Sequence, residues 1–187
     1  MVGDQSVEIC ASKMQHPGQP DNPNDHDERC AIALGGNLGN VEATLTSALA
    51  DLNATDGIRV ETKSRWYRTA PVGPPQPEYL NGCALLTVSL LPVELLAALQ
   101  AIEAGYGRER RERWGPRTLD LDVLLYGDRV VDLPRLQIPH PHLGERAFVL
   151  VPLAEIAADW IEPRSGLSIG QLAARVGNTG VRLAAAN

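Results

Sequence analysis

Between residues 30 and 126 the apolar residues switch between a period of two and a period near 3.6, and the order of those switches constrains the fold most. Cys30-Ala-Ile-Ala-Leu34 is a short apolar run stopped by Gly35-Gly36-Asn37, which reads as a strand entering a turn. Val41, Leu45, Ala48, Leu49 and Leu52 then recur with helical spacing. Ile58 to Thr69 alternates and is rich in β-branched and aromatic residues, so it predicts one strand. The proline-rich stretch Pro71 to Pro77 predicts a loop, because proline lacks the donor a ladder needs and restricts its neighbours. Leu80 to Leu90 predicts a further strand, and Pro92 suits the first position of a helix buried through Leu95, Leu96, Leu99 and Ile102. That helix ends near Gly105 and Gly107, and Thr118 to Tyr126 alternates again as a strand. The order β-α-β-β-α-β is that of a ferredoxin-like unit, an α+β fold with helices on one face of an antiparallel sheet. Ala147–Ala158 and Ser168–Val176 predict additional C-terminal helices.

A chain of 187 residues suffices for one full-sized domain. Residues 1–28 carry six acids, one base and three prolines with no sustained apolar period, so they predict a disordered N-terminal tail. Residues 29–187 are the expected folded domain. Of the net charge of −6, the tail holds −5, leaving a nearly neutral domain. Such a balance excludes a protein that coats nucleic acid or anionic membrane through bulk charge. Three cysteines without CxxC spacing point to reduced thiols and a cytoplasmic protein. The longest uncharged stretch, Tyr79 to Val93, is too short to span a bilayer as a helix. A monomer is the default expectation.

Chemistry concentrates between residues 108 and 122. On a strand, Asp120 and Asp122 point to one face while Leu119, Leu121 and Val123 point to the other. Two carboxylates on one face suit a hard divalent cation such as Mg²⁺, but spacing alone favours an ordinary solvated strand face, since exposed D-x-D pairs are common. Five of the chain's 15 arginines fall in residues 108–117. Guanidinium groups pair bidentately with phosphate, yet Glu109 and Glu112 allow the segment to neutralise itself. Gly35-Gly-Asn-Leu-Gly39 lacks the lysine and spacing of a phosphate loop and reads as a tight turn. His140 and His142 have no Cys/His cluster around them, so zinc is not indicated.

Six motifs occur in order between Ala31 and Pro163. They are Ala-Leu-Gly-Gly-Asn-Leu-Gly (33–39), Tyr67-Arg-Thr-Ala-Pro71, Pro77-Glu-Tyr-Leu-Asn81, Arg113-Trp-Gly-Pro-Arg-Thr-Leu-Asp-Leu-Asp122, Ile138-Pro-His140 and Arg146-Ala-Phe148. In these the sequence resembles the 6-hydroxymethyl-7,8-dihydropterin pyrophosphokinases of folate biosynthesis. The resemblance implies a ferredoxin-like fold and transfer of pyrophosphate from ATP to the hydroxymethyl group of a reduced pterin, with release of AMP.

It further implies that Asp120 and Asp122 hold two Mg²⁺ ions, with Arg108 and Arg117 stabilising the transferring group. Gln100, Glu103, Arg111, Arg113, Trp114, Val123, Arg135, His140 and Arg146 match the ATP site, with Trp114 in a mobile loop that also meets the pterin. Tyr79 and Phe148 match the rings that sandwich the pterin, while Thr69, Ala70, Val72 and Asn81 match its hydrogen-bonding edge. The implied partners are the two small substrates, without nucleic acid or membrane. Gly36 stands where that family usually has serine, Arg111 where it has lysine, and Pro141-His142 where it has an aromatic-acidic pair. Two rival readings are a kinase that releases ADP and a nucleic-acid module on the same fold. The second lacks the aromatic pattern such modules display on their central strands.

Overall fold

The computed structural model of the chain describes residues 27–71, 75–108 and 115–185. Val72, Arg111, Arg113 and Trp114 lie outside the described residues, as does the expected tail up to residue 26. Glu28, assigned by sequence to the tail, begins the first strand.

The elements follow the expected order with refinements. Strand β1 (Glu28–Gly36) leads into helix α1 (Val41–Asn53), whose first turn is capped by Asn40 Oδ1 accepting from the Ala43 amide at 3.3 Å. Strands β2 (Ile58–Lys63) and β3 (Tyr67–Thr69) follow, then β4 (Tyr79–Val88). Helix α2 (Pro92–Gly105) starts at Pro92 as predicted, with the Glu94 carboxylate accepting from the Leu91 amide at 2.8 Å. Strand β5 (Asp120–Tyr126), the hairpin of β6 (Val131–Leu133) and β7 (Leu136–Ile138), helices α3 (Ala147–Ala157) and α4 (Ile169–Val176), and strand β8 (Val181–Leu183) complete the chain. Ser168 caps α4, its hydroxyl accepting from the Gln171 amide at 3.1 Å.

The main sheet runs β5-β1-β4-β3-β8, with β2 pairing β4 beside β3, and all of its pairings are antiparallel. The single strand predicted over Ile58–Thr69 is therefore two. Ser64 makes the break: its hydroxyl accepts from the Cys83 amide at 3.0 Å, and its own amide donates to the Cys83 carbonyl at 2.9 Å. A side chain thus does the ladder's work there and the register shifts. Trp66 lies directly over Gly82, where a Cβ would stand 2.6 Å from its ring.

Helices α1 and α2 share one face, burying Leu45, Leu52, Leu95 and Leu99 against Ile32, Leu34, Leu86 and Leu121. Each such side chain contributes on the order of 1.5–3 kcal/mol. The opposite face is not open. Helices α3 and α4 cover part of it with Val149, Leu150, Leu153, Ile169 and Leu172, against Ala31, Cys83, Leu124 and Leu125. Leu124 and Leu125 reach the same core because the β1/β5 register slips between Ala31 and Ile32. No helix among the described residues is long and apolar enough to cross a membrane.

Candidate active site

Cross-strand register assembles the site. Gly35 in β1 is paired with Asn81 of β4 on one side and Asp120 of β5 on the other, while Asn81 is also paired with Tyr67 of β3. Tyr67, Asn81, Gly35 and Asp120 therefore form one row across four strands. Asp122 lies in the next row, opposite Ala33, and Tyr79 pairs with Thr69. Because Leu121 and Val123 enter the core under α1 and α2, the two aspartates project from the other face, where α3 begins.

Gly35 is small for a reason. A Cβ there would stand 2.6 Å from Asn81 Oδ1. The Asn81 amide instead donates to the Thr69 hydroxyl at 2.8 Å, and both residues are buried. Tyr79 is half-buried, and its hydroxyl lies 3.3 Å from Gln76 Oε1 and 3.3 Å from the Gly115 carbonyl. Burial raises its phenol above the ordinary value. Phe148 is partly buried on the α3 core, with the Arg146 guanidinium 5.6 Å from its ring centroid. Ala70 is exposed just beyond β3.

The charged half centres on Asp120. Arg108 Nη2 lies 2.5 Å from Asp120 Oδ1, and Arg117 Nη1 lies 2.6 Å from Oδ2. Among the described residues no hydrogen bond reaches Oδ1, whose contact with Arg108 is an ion pair alone. Arg108 also pairs with Glu103, whose carboxylate accepts from the Leu121 amide at 2.7 Å. Glu103 is 3% exposed, and its burial raises its carboxyl above the usual range despite that amide and Arg108. Burial and then the Asp120 charge push Asp122 up to about 6, against the pull of Arg108, Arg146 and Arg117.

His140 sits after β7, with its amide donating to the Leu124 carbonyl at 3.0 Å. Burial, then Arg146 and His142, press it down to about 4. Its Nδ1 accepts from the His142 amide at 3.1 Å, which places the proton of the neutral ring on Nε2. Gln100 is exposed on α2, one helical turn before Glu103, and Arg135 is exposed on the turn joining β6 to β7. The Val123 side chain is 4% exposed and belongs to the core, so only its backbone is available to a ligand.

Residues 31–158 match the model of the family described as 7,8-dihydro-6-hydroxymethylpterin-pyrophosphokinase (HPPK). The chain belongs to this family. A Synechocystis protein named 2-amino-4-hydroxy-6-hydroxymethyldihydropteridine pyrophosphokinase is 54% identical over 165 residues, spanning 87% of this chain and 85% of the relative. A Pseudomonas aeruginosa protein of the same name is 48% identical over 133 residues, 71% of this chain and 82% of that one. Among solved structures, wild-type Plasmodium falciparum HPPK-DHPS with pteroate superposes with a TM-score of 0.65 at 12% identity. That superposition covers 80% of this chain but 42% of the longer Plasmodium chain, and at this identity it speaks for the fold alone.

One residue of the site escaped the sequence reading. Asn37, read only as part of a turn, is 4% exposed and ties three segments together. Its amide nitrogen donates to Gln76 Oε1 at 3.0 Å and to the Pro77 carbonyl at 3.1 Å, and its Oδ1 accepts from the Arg117 amide at 2.8 Å. An asparagine inside a glycine-rich turn carries no periodic signal, and its partners lie 39 to 80 residues away.

Proposed function

We propose that the Asp120–Asp122 face of β5 and the Tyr79–Asn81 face of β4 are the two halves of one active site. The family reaction is transfer of pyrophosphate from ATP to the hydroxymethyl group of 6-hydroxymethyl-7,8-dihydropterin in folate biosynthesis, with AMP leaving. The observation that carries the site assignment is the row in which Gly35 alone separates Asn81 from Asp120. With strands about 4.8 Å apart, those backbones are about 10 Å apart, a span that fits a pterin beside a polyphosphate.

Asp120 and Asp122 fit a hard cation: both are oxygen donors, and one oxygen of Asp120 accepts no hydrogen bond among the described residues, its contact there being the Arg108 ion pair. In this reading the two carboxylates hold two Mg²⁺ ions together with the ATP phosphates. When bound, the ions neutralise charge on the phosphoryl oxygens. Arg108 and Arg117, already beside Asp120, supply fixed positive charge to the transferring group. Tyr79 and Phe148 supply stacking faces for the pterin, while Asn81, Thr69 and Ala70 supply its polar edge. His140, neutral near pH 7, donates from Nε2 to the nucleotide without adding charge. Arg146, Gln100, Arg135 and the Val123 backbone line the nucleotide side. The hydroxyl oxygen attacks the β-phosphorus in line as AMP departs, and positioning with electrostatics carries most of the acceleration.

We assign the catalytic domain to residues 28–187, starting with the first residue of β1 and acting as a monomer. A cytoplasmic location is supported by Cys30 and Cys83, both buried free thiols. The test is Asp122→Ala: turnover with Mg²⁺ is lost while circular dichroism stays native. Near-normal turnover contradicts the metal assignment.

A further inference from the structure

Strand β8 lies at the edge of the sheet, far in sequence from every residue assigned above, yet it touches both ends of the segment that joins β3 to β4. Its pairing sets Val181 opposite Thr69, Arg182 opposite Arg68 and Leu183 opposite Tyr67. The Ala184 amide extends the contact by donating to the Trp66 carbonyl at 2.8 Å. β3 has three residues, so β4 and β8 are its two flanking supports. At the other end of the segment, Arg182 Nη2 meets Glu78 Oε1 at 2.5 Å, and Glu78 immediately precedes Tyr79.

This ion pair answers a local problem. Like charges directly opposite across two strands repel, and Arg68 faces Arg182 in the register. The Glu78 carboxylate offsets that repulsion and links the β8 backbone to the second stem. β8 is itself tethered through the turn after α4, where the Val181 amide donates to the Asn178 carbonyl at 3.0 Å.

We propose that β8 is a strap fixing both stems of the 70–78 segment, which makes Arg182 and Glu78 positioning residues for the pterin. The inference rests on the assignment of Thr69, Tyr79 and Asn81 to the pterin. Thr69 is the last residue of β3 before one stem, and Tyr79 is the first residue of β4 after the other. Loosening either stem shifts the polar edge against the stacking ring, while the Asn37 link from Gln76 and Pro77 to the Arg117 amide still anchors the segment beside Asp120.

The test compares KM for 6-hydroxymethyl-7,8-dihydropterin with KM for ATP in variants with native circular dichroism. Glu78→Lys places a third positive charge beside Arg68 and Arg182. It raises the pterin KM about fivefold, the scale of an exposed ion pair plus its reversal, with the ATP KM within about twofold of wild type. The charge swap Glu78→Lys/Arg182→Glu restores the pterin KM, because the carboxylate moved onto β8 then faces both cations. Deletion of residues 181–187 raises the pterin KM further, and should that variant not fold, the charge swap decides alone. Equal rises in both KM values, or failure of the swap to rescue, overturn the strap. Asn81→Ala separates the two levels of the reading. A raised pterin KM there with an unchanged one in Glu78→Lys overturns the strap only, whereas an unchanged pterin KM in Asn81→Ala overturns the pterin site beneath it.

Discussion

Asp120 is held between two arginines, whereas Asp122, two residues along the same face of β5, is reached by no ion pair among the described residues. The pair is thus asymmetric: one carboxylate is fixed, and the other is half-buried with its charge poorly compensated. A site built only for stability would not leave Asp122 in that state, since a buried charge without close pairing is costly.

Asp122→Asn therefore stabilises the unliganded protein while abolishing turnover. Its carboxyl is raised from 3.8 to about 6 in the fold, so the native state binds more protons than the unfolded state between those values. Asp122 thus lowers stability as pH rises through that window. Thermal melts in metal-free buffer are expected to show a higher midpoint for Asp122→Asn at about pH 7.5, with the gain vanishing near pH 4. A lower midpoint at the higher pH contradicts the burial argument.

Gly35→Ala tests the row joining the two halves of the site. The added methyl stands 2.6 Å from Asn81 Oδ1 and displaces that side chain from Thr69. Overpacking of this kind costs about 1–3 kcal/mol. The kinetic expectation is a raised pterin KM with a smaller effect on the ATP KM, read in steady-state assays at saturating co-substrate. Wild-type values for both substrates contradict the close approach.

These features show where sequence reading succeeds and stops. The strand bearing Asp120 and Asp122 was legible because Leu119, Leu121 and Val123 alternate with them, and α1 was legible from Val41, Leu45 and Leu52. The break at Ser64 was not, because it depends on a hydroxyl meeting the Cys83 amide 19 residues away. β8 was missed for a similar reason: Val181 to Leu183 become a strand only against β3, more than a hundred residues earlier. The hairpin of β6 and β7 has three-residue arms with Val131 and Leu136 as its inward anchors, too few for periodicity to register. The site residues came mainly from family resemblance, since spacing alone left the carboxylate pair and arginines with more than one reading.

Glu103 separates a buried structural charge from an exposed one. Glu103→Ala removes the acceptor of the Leu121 amide and a partner of Arg108, at a cost of about 3–5 kcal/mol. Glu103→Gln keeps an acceptor for the amide, so its cost is expected to be clearly smaller. Urea denaturation of the two variants checks the order, and equal losses contradict it.

His140 is expected to remain neutral through the working pH range. Its folded value falls from 6.5 to about 4, so the unfolded state binds more protons between these values. Stability from this group is present above about pH 6.5 and is lost as pH falls toward 4. Imidazole titration by NMR should give a midpoint near 4, and His140→Gln should flatten stability across that window. A midpoint above 6 contradicts both the burial and the neutral-donor role.

The most direct measurement is the product ratio when ATP, Mg²⁺ and 6-hydroxymethyl-7,8-dihydropterin are incubated with the protein and followed by ³¹P NMR. The account predicts AMP and pterin pyrophosphate in equal amounts, with neither formed by Asp122→Ala. Formation of ADP with a pterin monophosphate, or undiminished turnover by Asp122→Ala, would contradict it.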